Sequence, residues 1–574
     1  TLSDAENISV SEKEKKEINF STLDFVTSFG EKKVEGLSVA DRLRFEGNSL
    51  WYYHKFRAYF RLRNFNYELA EVRKAANKYD EVIYFPSDTL LSDGDLPPNV
   101  IVRPSPKAGK SKHALSSLIS YAIILATRSF INIFHARKLK KYAMLIMDVK
   151  KRQVFLEMNS LREAKGNYII GYLLAKTDEF LIIDEAVQPK FSGGTKIRLS
   201  RDNLFGKGKM KGRFFGEPIL LRYFLSVTLR AKKKHLTKKI SGSLNTIKLH
   251  CDTAEERMLV DIYISLKGAT SYYMMRYLAY RKFFSRHSYS SIAATDENSP
   301  TLRCILDAAR ANEMTSIGIQ HGNIHDLHPA YIYTREDVAR KAFPDKNLVW
   351  GQHWKNFLTE KGNYPADSVM ISGQLRSDII PRLLRSGRKK EEVVNDIRPG
   401  ERLIVYASQP QRDPLLRKRA AIDVIMAAKE QKNSFLLIKL HPNEKDDIEY
   451  YRSLAEQCKL ERFHITLAVD LYLIISVCDV LITCFSTVGT ETIYFNKPLI
   501  VLDHLSQDIQ NYVKEGVGIH ARGQEELKTK IKGVLDGSIK VDEAAYAEYI
   551  SKYAYKIDGK AADRALDFIR SLQA

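Results

Sequence analysis

The chain has 574 residues, of which 44% are hydrophobic and 28% charged, a composition typical of two to four soluble globular domains. Its 90 Lys and Arg residues outnumber 69 Asp and Glu residues and give a formal net charge of +21, which indicates an anionic partner. Five scattered cysteines without a C-x-x-C pair argue against a disulfide framework and a structural zinc. With no zinc-finger spacing and no RNP-type aromatic strand, no nucleic-acid partner is expected.

Residues 1–70 are predicted to form a polar leader and an amphipathic helical segment. The first 20 residues are polar and charged, and they lack the pattern of a secretory signal. Leu43–Phe65 is aromatic and basic at helical spacing. It is either a packing helix or a surface for a lipid-linked or glycan acceptor.

Leu115–Ala136 is strongly apolar, but Arg128 and Asn132 interrupt it, so a membrane span is disfavoured. The remaining alternatives are a helix lying in the bilayer interface with basic flanks and a helix buried against the protein or a partner. The basic residues of the first half are either a binding surface or a solvated cationic face. They crowd into Lys107–Lys112, Arg137–Lys141, Lys150–Arg152, Lys207–Arg213 and Arg230–Lys239.

Residues 71–345 are predicted to form a Rossmann-like acceptor domain with basic and apolar insertions. Ser291–Thr295, a helix and Ser316–Ile319 make a βαβ unit, which belongs in a parallel sheet. Further strands are predicted at Glu81–Phe85, Ala143–Asp148 and Glu179–Glu185.

A second alternating block is predicted to form a Rossmann-like nucleotide-donor domain over residues 346–540. Its strands are predicted at Val369–Ser372, Leu403–Tyr406, Leu436–Leu440, Val480–Thr483 and Leu499–Leu502. Residues 541–574 are predicted to be helical and to cross back to the first domain. The fold class is therefore α/β, with two Rossmann-like domains facing a central cleft and extra N-terminal helical elements.

The strongest functional signal is a pair of polar loops that follow two strands of this second block. His441 ends one strand, because Pro442 cannot continue it, and its side chain could donate to a phosphate or protonate a leaving group. The alternative is a strand-end histidine that bonds only to backbone.

The second loop opens a helix with hydroxyls and a glycine, a pattern that favours binding of a pyrophosphate or a nucleoside monophosphate. Plain capping of the helix is the alternative for the hydroxyls, and a favourable charge on the helix dipole is the alternative to ribose binding for Glu491. The predicted donor-binding residues are Gln409, His441, Pro442, Ser486, Thr487, Gly489, Thr490 and Glu491, together with N–H groups of Val488–Thr490.

In the first block, Asp296 and Glu297 follow one strand and His321 follows the next, so all three are candidates for acid–base chemistry. For Asp296 the alternative is capping of the following helix. Arg376 lies between the two blocks and meets either donor phosphate or an interdomain carboxylate. A metal cluster of His321 with His325 and His328 is disfavoured, because apart from Asp326 no carboxylate or cysteine joins them at ligand spacing. No metal and no cofactor are expected.

Together, Gln-His-Gly, Gly-x-x-Arg-x-Asp, Lys-Leu-His-Pro and Ser-Thr-x-Gly-Thr-Glu before Lys-Pro-Leu-Ile resemble GT-B glycosyltransferases over Ser291–Asp503. Within that fold the chain is similar to capsule- and teichoic-acid-type enzymes, including CDP-glycerol glycerophosphotransferases, and to bacterial sialyltransferases.

By this resemblance, His441 and the hydroxyls of Ser486 and Thr487 would bind donor phosphate. Glu297 or Asp296 would be the base, and His321 would be an active-site histidine. The sequence departs from these patterns at Asn298, where the sialyltransferase motif has glycine, and at Gln320, where the glycerophosphotransferase loop has tryptophan.

The sequence therefore predicts a cytoplasmic glycosyltransferase of capsule or related polysaccharide biosynthesis, with peripheral attachment to the inner face of the cell membrane as an option. It would move a sugar from a CMP- or UDP-type donor to a surface glycan or lipid-linked acceptor by metal-independent displacement. The alternatives are a polyol-phosphate transferase of the CDP-glycerol type, a sugar-nucleotide 2-epimerase, and a non-catalytic membrane-associated scaffold that binds a glycan.

Overall fold

The computed structural model describes residues 8–87, 96–103, 114–136, 139, 144–148, 154–185, 199–205, 212–411 and 413–572. Its strands are β1 (Lys33–Val34), β2 (Leu37–Ser38), β3 (Arg44–Phe45), β4 (Asn48–Ser49), β5 (Val82–Tyr84), β6 (Val100–Val102), β7 (Met144–Asp148), β8 (Val154–Leu156), β9 (Glu163–Lys165), β10 (Phe180–Asp184), β11 (Arg213–Phe215), β12 (Ser291–Thr295), β13 (Thr315–Ile319), β14 (Lys346–Val349), β15 (Val369–Ile371), β16 (Arg402–Ala407), β17 (Ser434–Lys439), β18 (Phe463–Thr466), β19 (Val480–Thr483), β20 (Leu499–Leu502) and β21 (Ile519–Ala521).

Its helices are α1 (Glu12–Glu31), α2 (Val39–Arg42), α3 (Leu50–Ala76), α4 (Ala114–Ala136), α5 (Gly171–Lys176), α6 (Arg201–Phe205), α7 (Glu217–Leu225), α8 (Val227–Leu249), α9 (Ala254–Ser265), α10 (Lys267–Phe284), α11 (Pro300–Arg310), α12 (Arg335–Ala339), α13 (Gln352–Glu360), α14 (Ile380–Arg385), α15 (Pro414–Lys429), α16 (Ile448–Gln457), α17 (Leu471–Val477), α18 (Val488–Tyr494), α19 (Gln524–Leu535), α20 (Glu543–Tyr553) and α21 (Ala561–Ser571). Short 3₁₀ turns lie at Ala366–Ser368, Leu375–Ile379, Lys390–Glu392 and Pro442–Glu444.

The first sheet has seven parallel strands in the order β11-β10-β7-β12-β13-β14-β15. Strands β10 and β12 are buried along their whole length, because helices cover both faces of a parallel sheet. The assignment of Val369–Ser372 to the second block is wrong. Strand β15 pairs with β14 at the edge of the first sheet, and a three-residue strand carries no pattern that reveals its partner.

The second sheet has six parallel strands in the order β18-β17-β16-β19-β20-β21. Successive residues of β16 contribute to different cores: Ile404 faces the helices of this half, and Val405 faces a cluster that also holds residues of the first sheet. The two sheets confirm the predicted α/β fold of two Rossmann-like halves. Strands β18 and β21 were not predicted, because they are short and only partly buried.

Near the N-terminus, Ser49 caps α3, and α3 packs against α1. Trp51 is buried and stacks on Tyr263 with the ring centroids 5.0 Å apart. Because Tyr53 and Tyr59 are buried as well, this helix has the packing role rather than that of an open acceptor surface.

The predicted apolar segment forms α4, and none of the helices among the described residues is long and apolar enough to cross a membrane. The basic clusters Lys107–Lys112 and Lys150–Arg152 lie outside the described residues. The same holds for most of Arg137–Lys141 and of Lys207–Arg213.

The turn Leu375–Ile379 connects the two halves and also holds the last helix. The Asp378 carboxylate accepts hydrogen bonds from the backbone N–H groups of Ala561 and Ala562, both at 2.8 Å, at the first turn of α21. Helix α21 packs against α5 of the first half, where Arg570 pairs with Glu179. The chain therefore crosses back to the first half at its end.

A pH-dependent stability is expected from Asp378. Burial raises the pKa of its carboxyl from 3.8 to about 6, against the lowering effect of the two N–H groups. A raised carboxyl pKa gives stability that is present below pH 3.8 and is lost as the pH rises through about 6. The free energy of unfolding of the wild type relative to Asp378→Asn should fall by about 3 kcal/mol from acid to neutral pH. Denaturant titrations of both proteins at several pH values measure this, and a difference that stays constant with pH would contradict it.

Candidate functional site

A cavity of about 500 Å³ lies between the carboxyl ends of the two sheets. Residues that follow β13, β16, β17 and β19 form its walls, as expected for a ligand site in an open parallel sheet. Eight of the predicted site residues line it: His321, Arg376, His441, Pro442, Ser486, Thr487, Thr490 and Glu491. Tyr168, Trp350, Gln374, Ser408 and Lys439 line it as well, and the sequence analysis did not single them out.

His441 has a fixed tautomer. The backbone N–H of Asn443 donates to its Nδ1 at 3.1 Å. A nitrogen that accepts a hydrogen bond carries no proton, so the proton of the neutral ring lies on Nε2. The ring therefore offers a hydrogen-bond donor and suits an anion.

His321, on the opposite wall, is held in the same way. The backbone N–H of Asp296 donates to its Nδ1 at 3.1 Å, and its Nε2 lies 3.9 Å from Asp296 Oδ1. Two Nε2–H donors thus come from the two halves of the chain to one cavity. In this arrangement neither ring has a free acceptor nitrogen with which to remove a proton.

Glu444 fixes the loop that carries His441. Its carboxylate is buried and accepts hydrogen bonds from Ser408 Oγ at 2.6 Å, Tyr451 Oη at 2.9 Å and the backbone N–H of His441 at 3.3 Å. Arg417 balances its charge at 2.9 Å. Glu444 was not predicted from the sequence, although its place three residues after His441 is the spacing of a capping box.

Removing the charge of Glu444 should loosen this loop. Glu444→Gln should lower the free energy of unfolding by about 1–3 kcal/mol, because an amide cannot accept all of these bonds. Thermal denaturation measures the loss. Glu449→Gln is the matched control on the exposed face of α16, and an equal loss in both variants would contradict the assigned role.

The turn before α18 differs from the prediction. The N–H groups of Val488 and Thr490 are occupied by Ser486 Oγ at 3.3 Å and Tyr512 Oη at 3.0 Å, and that of Gly489 by the Ser486 carbonyl at 3.1 Å. The expectation that these three N–H groups bind an anion is therefore wrong, because they close the turn itself. An anion here meets the side chains of Ser486 and Thr487, which line the cavity.

Gly489 has a packing role in this turn. A Cβ at this position would lie 2.6 Å from the ring of Tyr512. Tyr512 Oη donates to the Ser486 carbonyl at 2.9 Å and also contacts Thr490 Oγ1 at 3.0 Å. The tyrosine thus holds both ends of the turn, and the glycine lets it come close enough to do so.

Arg376 joins the halves at the cavity wall. Its Nη1 donates to Glu491 Oε1 at 2.8 Å, and its guanidinium lies 4.0 Å from the ring centroid of Tyr472. Burial opposes its charge, but Tyr472, Glu491 and Asp470 together raise its pKa. The interdomain ion pair predicted as one alternative is thus present, and it occupies one oxygen of the proposed ribose ligand Glu491.

Four predicted residues lie off the cavity wall, and one of them is Gly489. Glu297 is buried against Gly318. Gln409 is buried and accepts a hydrogen bond from the backbone N–H of Phe485 at 2.8 Å, so it shapes the loop after β19. Asp296 lies beside His321 in the left-handed backbone region, with φ +58°.

No group of three His, Cys, Asp or Glu side chains within the described part of the chain is placed to hold a metal ion. The rings of His325 and His328 pack edge to face, with centroids 5.6 Å apart.

Residues 308–571 match the family described as CDP-Glycerol:Poly(glycerophosphate) glycerophosphotransferase. The predicted resemblance to teichoic-acid-type transferases of the GT-B fold is thereby confirmed over this segment, as is the prediction of a GT-B-type transferase. The segment includes His321, Arg376, His441 and Glu491, whereas Asp296 lies before it.

Known structures similar to the chain include UDP-GlcNAc 2-epimerases and a wall teichoic acid polymerase. The epimerase from Neisseria meningitidis, bound to UDP-GlcNAc, is 10% identical, with a TM-score of 0.45 over 75% of this chain and 99% of the other. The epimerase from Methanocaldococcus jannaschii is 12% identical, with the same TM-score and the same coverage. The polymerase TagF is 12% identical, with a TM-score of 0.37 over 52% of this chain and 85% of its own. No curated protein sequence matches the chain.

Proposed function

We propose that the chain transfers a polyol phosphate from a cytidine-nucleotide donor to a surface-polymer acceptor. The carrying observation is the pair of Nε2–H donors, from His321 and His441, on opposite walls of one cavity. The family match favours this reaction over the nucleotide-sugar donor that the sequence analysis placed first. Glycosyl transfer from a CMP- or UDP-type donor on the same cavity is the second candidate.

The donor would lie with its pyrophosphate between the two histidines. The acceptor hydroxyl attacks the phosphorus that bears the polyol, the bond to the bridging oxygen breaks, and CMP leaves with the negative charge. The Nε2–H of His441 and the hydroxyls of Ser486 and Thr487 stabilise that charge, because fixed donors cost no reorganisation in the transition state. Lys439, whose ammonium donates to the Leu467 carbonyl at 2.9 Å, adds a cation to the same wall.

Asp296 is the group we assign to remove the acceptor proton. Both histidines carry their proton on Nε2, and Glu297 is buried away from the cavity. Asp296 also lies off the cavity wall, but it is partly exposed, and its Oδ1 lies 3.9 Å from Nε2 of His321, which lines the cavity.

We further propose that the donor domain begins after the connecting turn Leu375–Ile379, since β14 and β15 complete the first sheet. A nucleotide-activated donor is made inside cells, so the site would work at the cytoplasmic side, with capsule or related polymer synthesis as its setting. The basic N-terminal half would face the acceptor.

Nucleotide binding tests the donor site. We expect CMP and CDP to raise the thermal midpoint and His441→Ala to abolish the shift, because the ring supplies a phosphate donor. A ligand at about 100 times its dissociation constant stabilises a fold by roughly 2.7 kcal/mol. His464→Ala, on β18 and outside the cavity, is the matched control. A shift with UDP alone favours the nucleotide-sugar transferase, and no shift with any nucleotide contradicts the proposal.

Turnover tests the assignment of the base. With CDP-glycerol and a glycerophosphate primer, Asp296→Asn should lower kcat by about 10²–10⁴-fold, the usual contribution of a general base. Its donor affinity should stay unchanged. Asp326→Asn, on the exposed loop after His321, should retain full kcat. Equal kcat in Asp296→Asn and the wild type would rule out this base, and product without a primer would indicate an epimerase or hydrolase.

A further inference from the structure

Helix α4 has its polar and apolar faces reversed relative to an ordinary surface helix. Arg128 is fully buried, and its Nη1 donates to both oxygens of Glu217, at 2.7 and 2.8 Å. Asn132 is also buried, and its amide bonds to the carbonyl and the N–H of Phe215 at 2.8 and 3.0 Å. The polar side chains that interrupt the apolar segment thus face the protein and fix the helix to α7 and β11.

The opposite face of α4 is apolar and exposed. Phe130, Ile133 and Phe134 are 62%, 67% and 63% exposed, and Ile119 and Ile123 lie on the same stripe at helical spacing. We call these five residues the α4 surface. Exposed apolar groups also occur on the neighbouring elements that pack against α4, at Phe205 of α6 and Leu225 of α7.

Basic residues flank α4 along the chain and also lie on the helix that follows its neighbour α7. Helix α8 follows α7 directly, has no acidic residue, and exposes Arg230, Lys234, Lys238 and Lys239. In the sequence, Lys110 and Lys112 precede α4, and Arg137 and Lys138 follow it. Helix α4 itself contains no Asp or Glu. Apolar side chains with a basic border are the composition of a surface that enters the headgroup region of an anionic bilayer.

We propose that the α4 surface docks on an anionic lipid bilayer, with α4 lying in the plane of the interface. The helix cannot leave the protein to span the bilayer, because the buried pair Arg128–Glu217 holds it on the first half. A second copy of the chain fits less well. Pairing two α4 surfaces would bring two basic borders together, whereas anionic headgroups neutralise them.

This surface goes beyond the proposed transfer reaction and does not depend on it. It would hold the enzyme beside a lipid-linked or membrane-proximal acceptor. Vesicle binding is measured without donor, so its failure would leave the donor site untouched.

Vesicle flotation of the full chain tests the surface. We expect flotation with phosphatidylglycerol-containing vesicles, and much less with pure phosphatidylcholine or at high salt. The double variant Phe130→Ser/Phe134→Ser should partition at least about tenfold more weakly. The matched control is Leu415→Ser, at an apolar residue of the second half that is 78% exposed, and it should bind like the wild type.

A second double variant, Lys234→Glu/Lys238→Glu, should weaken binding to anionic vesicles and leave the midpoint of thermal unfolding unchanged. Absence of wild-type flotation with anionic vesicles overturns the proposal, as does full flotation of the phenylalanine variant. A concentration-dependent dimer without lipid, abolished by Phe130→Ser/Phe134→Ser in sedimentation velocity, also overturns it in favour of a second copy.

Discussion

The arrangement of the site depends on one short turn, Leu375–Ile379, whose side chains contact two different parts of the protein. Arg376 extends to the donor-side loop at Glu491, and Asp378 holds the first turn of α21. Helix α21 in turn packs on the first half. The chain crosses between the halves at this turn and again at its C-terminal end. Arg376 and Asp378, two positions apart in the turn, contact both crossings. These anchors hold together the two halves whose loops form the cavity.

Within that frame, backbone geometry determines the chemistry of the cavity. In each half, a backbone N–H group donates to the Nδ1 atom of a histidine, so the proton of the neutral ring lies on Nε2. Glu444 and Tyr512 also act indirectly. Their buried polar contacts hold the loops that carry cavity residues. The side chains that meet a ligand are few, and most of the neighbouring polar groups hold them in place.

Much of this could be predicted, because buried parallel strands are continuous apolar runs and their ends carry polar residues. Strands β17 and β19 and the loops after them were identified on that basis, and eight predicted residues line the cavity. Contacts between distant segments could not be predicted. The hydroxyl of Tyr512 closes the turn at Ser486, and the pairing of β15 depends on a register that three residues do not encode. The exposure of Phe130 could not be predicted either, because the sequence of an apolar helix does not show which of its faces is covered.

The backbone of Asp296 limits how this position can change over evolutionary time. At φ +58° most side chains with a Cβ are strained by about 1–2 kcal/mol, and glycine, asparagine and aspartate adopt the conformation most readily. Glutamate keeps the charge and is found at positive φ elsewhere in this chain, at Glu35, Glu46 and Glu313, but its longer side chain would move the carboxylate away from His321. The two best-accommodated replacements, glycine and asparagine, are both uncharged. A lineage that drifts from aspartate to either of them loses the carboxylate in a single step.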